Sequence, residues 1–282
     1  MTRRLLAVHA HPDDESITMG GTLAAAAASG IAVTLVTCTL GEEGEVIGAD
    51  AAGLVAAEAD QLGGFRRWEL RQACEELRID DHRLLGGAGR YRDSGMAGTP
   101  SADHPRAFAR AAAGGPDHEA AVGDLLQVMA QVRPDVVLGY DADGGYGHPD
   151  HIAAHQVMRE AARRRGVPRV LAVVRPRGAM AAAVSALPVP ADLRSPTEGD
   201  LGFEIEDEAV DVAVPVRWWA PVRRAALAAH ATQIRVIEGG FALSNGIAQP
   251  VLDTEYFRLV DGIPLPRTAD GGRAADLFAG LE

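Results

Sequence analysis

Apolar residues in this chain come in short continuous blocks. Between the blocks lie stretches where they recur every three or four positions, the alternation expected when strands and helices take turns. Residues 5–8 (Leu-Leu-Ala-Val) form a block of strand length, and Ala32–Thr37 forms the next. Residues 19–28 between them read as a helix; Gly20 and Gly21 inside it lower helix propensity and permit close approach to a neighbour. Residues 51–62 and 69–77 read as helices, and 83–85 as a short strand. Residues 119–131 are amphipathic, Arg133-Pro134 stops them, and 135–140 follow as a strand. Residues 152–165 predict a helix whose basic last turn suits its dipole, and 170–174 a further strand. Such an order predicts an α/β fold, a doubly wound, Rossmann-like and mostly parallel sheet with helices on both faces.

Beyond Arg175 the pattern is broken by Pro188, Pro190, Pro196 and Pro215. Residues 218–231 read as a helix, 253–260 as a strand and the tail 270–282 as a short helix. The expected organisation is a catalytic α/β core over residues 1–175. A smaller α+β appendage over 176–282 is expected to cover the site mouth and complete the fold.

Two of the apolar blocks run into clusters of polar residues. After 5–8 comes His9-Ala10-His11-Pro12-Asp13-Asp14-Glu15. After 136–140 comes a loop with Asp141, Asp143, Gly144 and Gly145, ending Tyr146-Gly147-His148-Pro149-Asp150-His151. Ligands of doubly wound sheets bind outside the carboxyl ends of the strands, where both clusters lie. Pro12 favours an extended His11. Asp13 and Asp14 are adjacent, so their side chains diverge. One can bind a metal while the other faces a substrate, or either can cap the following helix. Two His/Asp clusters at neighbouring strand ends suit a single metal that activates water. His151 and His155 have the i, i+4 spacing of zinc proteases, but Ile152 stands where that motif needs glutamate; His155 reads as a helix-surface residue or, as the alternative, a group that supports a ligand from behind.

Composition narrows the options. A net charge of −12 over 282 residues disfavours nucleic acid as a partner. The basic residues are all arginine, which excludes a Schiff-base lysine and a phosphate-loop lysine. His11-Pro12-Asp13-Asp14 occupies the place of a Gly-rich nucleotide turn. Cys38 and Cys74 read as buried free thiols of a reducing compartment. Met1-Thr2-Arg3-Arg4 mimics a twin-arginine start, but the apolar block after it is too short for a signal, and residues 23–39 are broken by Ser29 and Gly30. A cytoplasmic protein with no membrane partner is expected, and a homo-oligomer stays open.

The strings HAHPDDES, TCTLGEEGEVIG, ADQLGG, LGGAGRYRDSGMAGT, YGHPDH and AALAAHATQ resemble the metal-dependent LmbE/PIG-L-like deacetylases over most of the first 155 residues and again near 227–233. Residues 85–99 are similar to the branch that serves mycothiol biosynthesis. The resemblance implies removal of an acetyl group from a small pseudodisaccharide, an N-acetylglucosamine joined to inositol. It implies that His11, Asp14 and His151 hold one Zn2+, with Fe2+ sharing the ligand preference. It further implies Asp13 as general base, a protonated His148 as oxyanion partner and acid, Tyr146 swinging in on its loop, and Asp150 as a histidine-orienting group. Arg66, Asp93, Met96 and Glu45 match substrate-facing positions. Glu42, Glu43 and Glu45 form an acidic loop read either as a solvated run or as polyol ligands. A sister amidase of the family carries a lysine just after its HPDDE-type motif; residues 16–19 here carry none.

Overall fold

The computed structural model describes residues 2–197, 199–267 and 272–281. Its first two-thirds run β1 (Arg4–His9), α1 (Asp14–Ala28), β2 (Ala32–Thr37), α2 (Leu62–Leu77), β3 (Asp81–Leu84), α3 (His118–Val132), β4 (Val136–Gly139), α4 (Pro149–Arg165) and β5 (Arg169–Pro176). There follow α5 (Arg177–Ala186), β6 (Glu204–Ile205), β7 (Val212–Pro215), α6 (Ala220–Ala229), β8 (Arg235–Ile237), β9 (Gly240–Ala242), β10 (Ala248–Pro250) and β11 (Thr254–Gly262).

The main sheet has the order β3-β2-β1-β4-β5-β11-β7, with β6 paired beside β5. Strands β1 to β5 are mutually parallel, and β11 is antiparallel to both β5 and β7. The chain winds from β1 outward to β3, then crosses back to β4 on the other side. The crevice at this reversal opens between the carboxyl ends of β1 and β4. Leu5, Leu6, Ala7 and Val8 are fully buried, as are Val136, Val137 and Leu138, because helices cover both faces of a parallel sheet. The C-terminal third shares this interior: Phe203, Val212, Ala226, Phe257 and Phe278 pack in the same cluster as β1 and β4.

Helix α1 starts at Asp14, five residues before the expected start, and is interrupted at Met19 (φ −143°). A buried ion pair satisfies the loosened backbone. Glu255 accepts from the amides of Gly21 (3.0 Å) and Thr22 (2.7 Å), while Arg223 donates to the carbonyls of Ser16 and Ile17. Arg223 and Glu255 lie 3.0 Å apart. A Cβ on Gly21 would stand 2.6 Å from Val216 Cβ, so glycine is needed for close approach.

Three expectations fail. Residues 51–62 are not a helix: a 3-10 turn at Ala49–Leu54 precedes irregular chain, and α2 begins only at Leu62. Residues 49–61 have no buried face, and alanine propensity alone does not support a short helix. The tail is not helical over 272–281, and 270, 271 and 282 lie outside the described residues. Its carbonyls are claimed by buried Arg169, which donates to Leu277 O (2.6 Å) and Ala279 O (2.9 Å). His155 is buried, not on the helix surface, and its Nδ1 lies 2.8 Å from the Tyr140 carbonyl. The small sheet β10-β9-β8 went unpredicted because three-residue strands carry no readable alternation. Among the described residues no helix is long and apolar enough to cross a membrane.

Candidate metal centre

His11 leaves the end of β1, Asp14 opens α1, and His151 lies in the first turn of α4. Their donor atoms converge. His11 Nδ1 is 3.5 Å from Asp14 Oδ2, His151 Nε2 is 3.5 Å from the same oxygen, and the two nitrogens are 3.3 Å apart. Three ligands about 2.1 Å from a tetrahedral ion would be separated by roughly 3.4 Å, so the triangle fits one face of such a site. The opposite ring atoms face acceptors, so in the neutral rings the hydrogen sits there and the nitrogens of the triangle are left free to ligate. His11 Nε2 faces Asp150 Oδ2 at 3.2 Å, and His151 Nδ1 faces the Gly144 carbonyl at 3.0 Å. A carboxylate or carbonyl behind a histidine in this way orients the ring and raises its basicity as a ligand.

A second tier holds these groups. Asp150 accepts from Ser94 N (2.9 Å) and Ser94 Oγ (2.5 Å). Asp14 Oδ2 accepts from the Tyr140 hydroxyl (2.6 Å) and the His11 amide (3.0 Å), and the Tyr140 ring stacks on His151 at 4.1 Å. Burial opposes charge on both Asp14 and His11. The two histidines outweigh it at Asp14 and hold that carboxyl well below its usual range. Asp93, Asp14 and Asp150 outweigh it at His11 and hold that ring well above its own.

Asp13 stands beside the triangle with φ 112°, an uncommon conformation for a residue with a side chain. Its carboxylate makes no cap to α1, so the capping role fails. Oδ2 accepts from Arg66 Nη2 at 3.0 Å. Burial pushes the Asp13 carboxyl up to about 6, against the pull of Arg66 and with a further push from Asp14. His148 is pushed down to about 3 by burial and by the imidazoles of His11 and His151. Its Nδ1 accepts the Asp150 amide at 3.2 Å, so the ring is neutral with its hydrogen on Nε2; the expected imidazolium does not fit this arrangement.

His11, Asp13, Asp14 and His148 line a cavity of about 680 Å³ that also takes in Glu43, Glu45, Arg66, Asp93, Met96 and Tyr146, with His151 buried behind it. Arg66 points inward to Pro12 O (2.5 Å) and Asp13 as much as to open space. Asp93 lies 3.5 Å from His11 Nε2. Met96 and Tyr146 are half exposed, and Glu45 reaches Ser244 Oγ at 2.7 Å. Tyr146 follows Gly145, whose φ of 85° and contact with the Phe203 ring leave no room for a Cβ. The acidic loop is not a solvated run: Glu42 is buried and accepts the Asp93 amide (3.0 Å), and Glu43 pairs with Arg92 at 2.9 Å.

Sequence reasoning missed Tyr140, Ser94 and the cavity residues Arg175, Phe203, Gln233 and Gln249. Tyr140 carried a faint signal, a hydroxyl at the end of an aliphatic strand. Arg175 did as well, as a cation closing β5.

Residues 6–162 match the model of the family described as "PIG-L: GlcNAc-PI de-N-acetylase". A curated relative from Nakamurella multipartita, named 1D-myo-inositol 2-acetamido-2-deoxy-alpha-D-glucopyranoside deacetylase, is 57% identical and covers 99% of this chain and 96% of its own. One of the same name from Acidothermus cellulolyticus is 49% identical, covering 100% and 96%. Among solved structures, a 4-carboxy-2-hydroxymuconate hydratase from Pseudomonas putida KT2440 superposes with a TM-score of 0.56 at 17% identity, over 95% of this chain and 100% of that one. The last likeness concerns the fold alone, since one fold carries many chemistries.

Proposed function

This chain belongs to the PIG-L family of de-N-acetylases, and we propose that it hydrolyses the acetamide of 1D-myo-inositol 2-acetamido-2-deoxy-α-D-glucopyranoside to the free amine and acetate, a step of mycothiol biosynthesis. It is an N-deacetylase. The observation that carries the mechanism is the triangle of His11 Nδ1, Asp14 Oδ2 and His151 Nε2 with Asp13 beside it. We assign these three residues to one zinc ion, because two imidazoles and a carboxylate suit it and hydrolysis needs no redox change; ferrous iron shares the donor preference. Such an ion, when bound, lowers the pKa of water to about 7 and polarises a carbonyl oxygen.

The chain's own residues do the rest. Asp13 takes the proton of the attacking water as the new C–O bond forms. The same carboxyl then returns that proton to the sugar nitrogen as the C–N bond breaks. A group poised near neutrality serves both directions. His148, neutral, points its Nε2–H at the developing oxyanion, a donor that costs no reorganisation. Tyr146, half exposed beside His148 and His151, supplies a second donor. Asp150 acts through His11 and His148 and does not touch substrate. Asp93, Arg66, Glu45 and Met96 face the pseudodisaccharide along the cavity wall. A reducing cytoplasm suits Cys38 and Cys74, both free and buried.

The test is acetate release from this substrate by protein of measured metal content, with a mycothiol S-conjugate as competitor. Metal-dependent turnover that prefers the N-acetyl substrate is expected. Preference for the conjugate would assign the chain to the amidase activity instead.

A further inference from the structure

We propose that His230 is a positioning residue for Asp13, acting through Glu15, and that this is the part played in catalysis by the AALAAHATQ string. The proposal rests on the reading of Asp13 as general base. None of His230, Glu15 or Glu69 lines the cavity, so none acts by touching substrate.

The chain of contacts starts at the backbone of Asp13. Its φ of 112° is a conformation that a residue with a Cβ keeps only when its surroundings fix it. The Asp13 carbonyl accepts from the amides of Ser16 and Ile17, both at 3.0 Å. Its amide donates to Glu15 Oε2 at 3.0 Å. The other oxygen of Glu15 accepts from Ser16 Oγ at 2.6 Å and faces His230 Nε2 at 2.7 Å. Glu15 and His230 are both fully buried.

His230 is itself held. It begins the turn after α6, where the amides of Gln233 and Ile234 return to its carbonyl at 2.9 and 2.8 Å. Thr232, in the same turn, donates from its amide (2.7 Å) and hydroxyl (2.8 Å) to the two oxygens of Glu69 on α2. Glu69 is fully buried too. Two buried carboxylates, one from α1 and one from α2, thus grip one turn of the C-terminal third. An apolar contact would join these elements with less desolvation. What the polar relay adds is a fixed direction for the Asp13 amide, and with it a fixed place for the Asp13 carboxylate.

The experiment is a double-mutant cycle on the metal-loaded enzyme. His230→Met keeps the bulk and removes the donor; His230→Gln keeps an N–H near the position of Nε2. For His230→Met we expect kcat to fall about 10- to 100-fold, the scale of a small misplacement of a reacting group, with KM and metal content unchanged. His230→Gln is expected to restore most of the loss. In an Asp13→Asn background His230→Met is expected to cost almost nothing more, because the group it positions is gone. An equal loss in both backgrounds, or full kcat in His230→Met, overturns the proposal. If His230→Met does not fold, Glu15→Gln breaks the relay from the other end and is read through the same cycle. An Asp13→Asn enzyme with parental kcat would instead overturn the reading of Asp13 as base.

Discussion

The floor of the cavity and its mouth are held in different ways. At and beneath the floor His11, Asp14 and His151 are buried, and each makes a further polar contact, with a carboxylate, a hydroxyl or a carbonyl. At the mouth Met96 and Tyr146 are half exposed, and the exposed Glu45 accepts from Ser244 Oγ. Side chains at the floor spent their conformational freedom during folding and cost nothing further when a reaction occurs. Those at the mouth still have freedom to lose, so ordering them draws on substrate binding energy. The floor should therefore govern turnover and metal retention, and the mouth should govern affinity.

The sharpest way to break this contrast is to remove a donor from the triangle. His151→Ala is expected to abolish metal retention and to lower acetate release about a thousandfold or more, matching the several kcal/mol an ion supplies; elemental analysis beside the rate assay checks it. Asp13→Asn should keep the metal and lose about 10²- to 10⁴-fold in kcat, the usual share of general base catalysis. Tyr140→Phe removes the hydroxyl shared by Asp14 and the Ala10 amide. Its metal affinity, read by competition with a chelator, should fall about 10- to 100-fold while kcat at saturating metal changes little.

Arg66→Met sharpens the electrostatics. The guanidinium opposes the rise of the Asp13 pKa, so its removal pushes that pKa higher. The base is then lost at a higher pH on acidification, and the acid limb of kcat/KM should move up by about one unit. A limb that moves down would separate it from Asp13. The smallest effect belongs to the mouth: Glu45→Ala should raise KM by less than about tenfold, one hydrogen bond's worth, and leave kcat within about twofold. A collapse of kcat there would dissolve the distinction between the two regions.

Much of the frame was readable along the chain. Strand blocks such as residues 5–8 and 136–140 and the His/Asp clusters behind them are local patterns, and a parallel αβ alternation leaves few places for strand ends to meet. Residues 51–62 show the limit of such reading: alanine permits a helix, but only a buried face stabilises one, and no residue of 51–61 is buried. The same limit hid the interruption of α1, since its capping groups Arg223 and Glu255 lie more than 200 residues away.

The sequence by itself determined where the His/Asp-bearing turns fall and that two imidazoles and adjacent carboxylates stand at strand ends, because periodicity and side-chain chemistry are properties of neighbouring residues. Only the tertiary structure decided what each buried charge faces: Glu15 with His230, His11 with Asp150, Asp14 with Tyr140. The reason is physical. A buried charge must find its partner wherever folding brings one within hydrogen-bond reach, and for Glu15 that partner lies 215 residues along the chain.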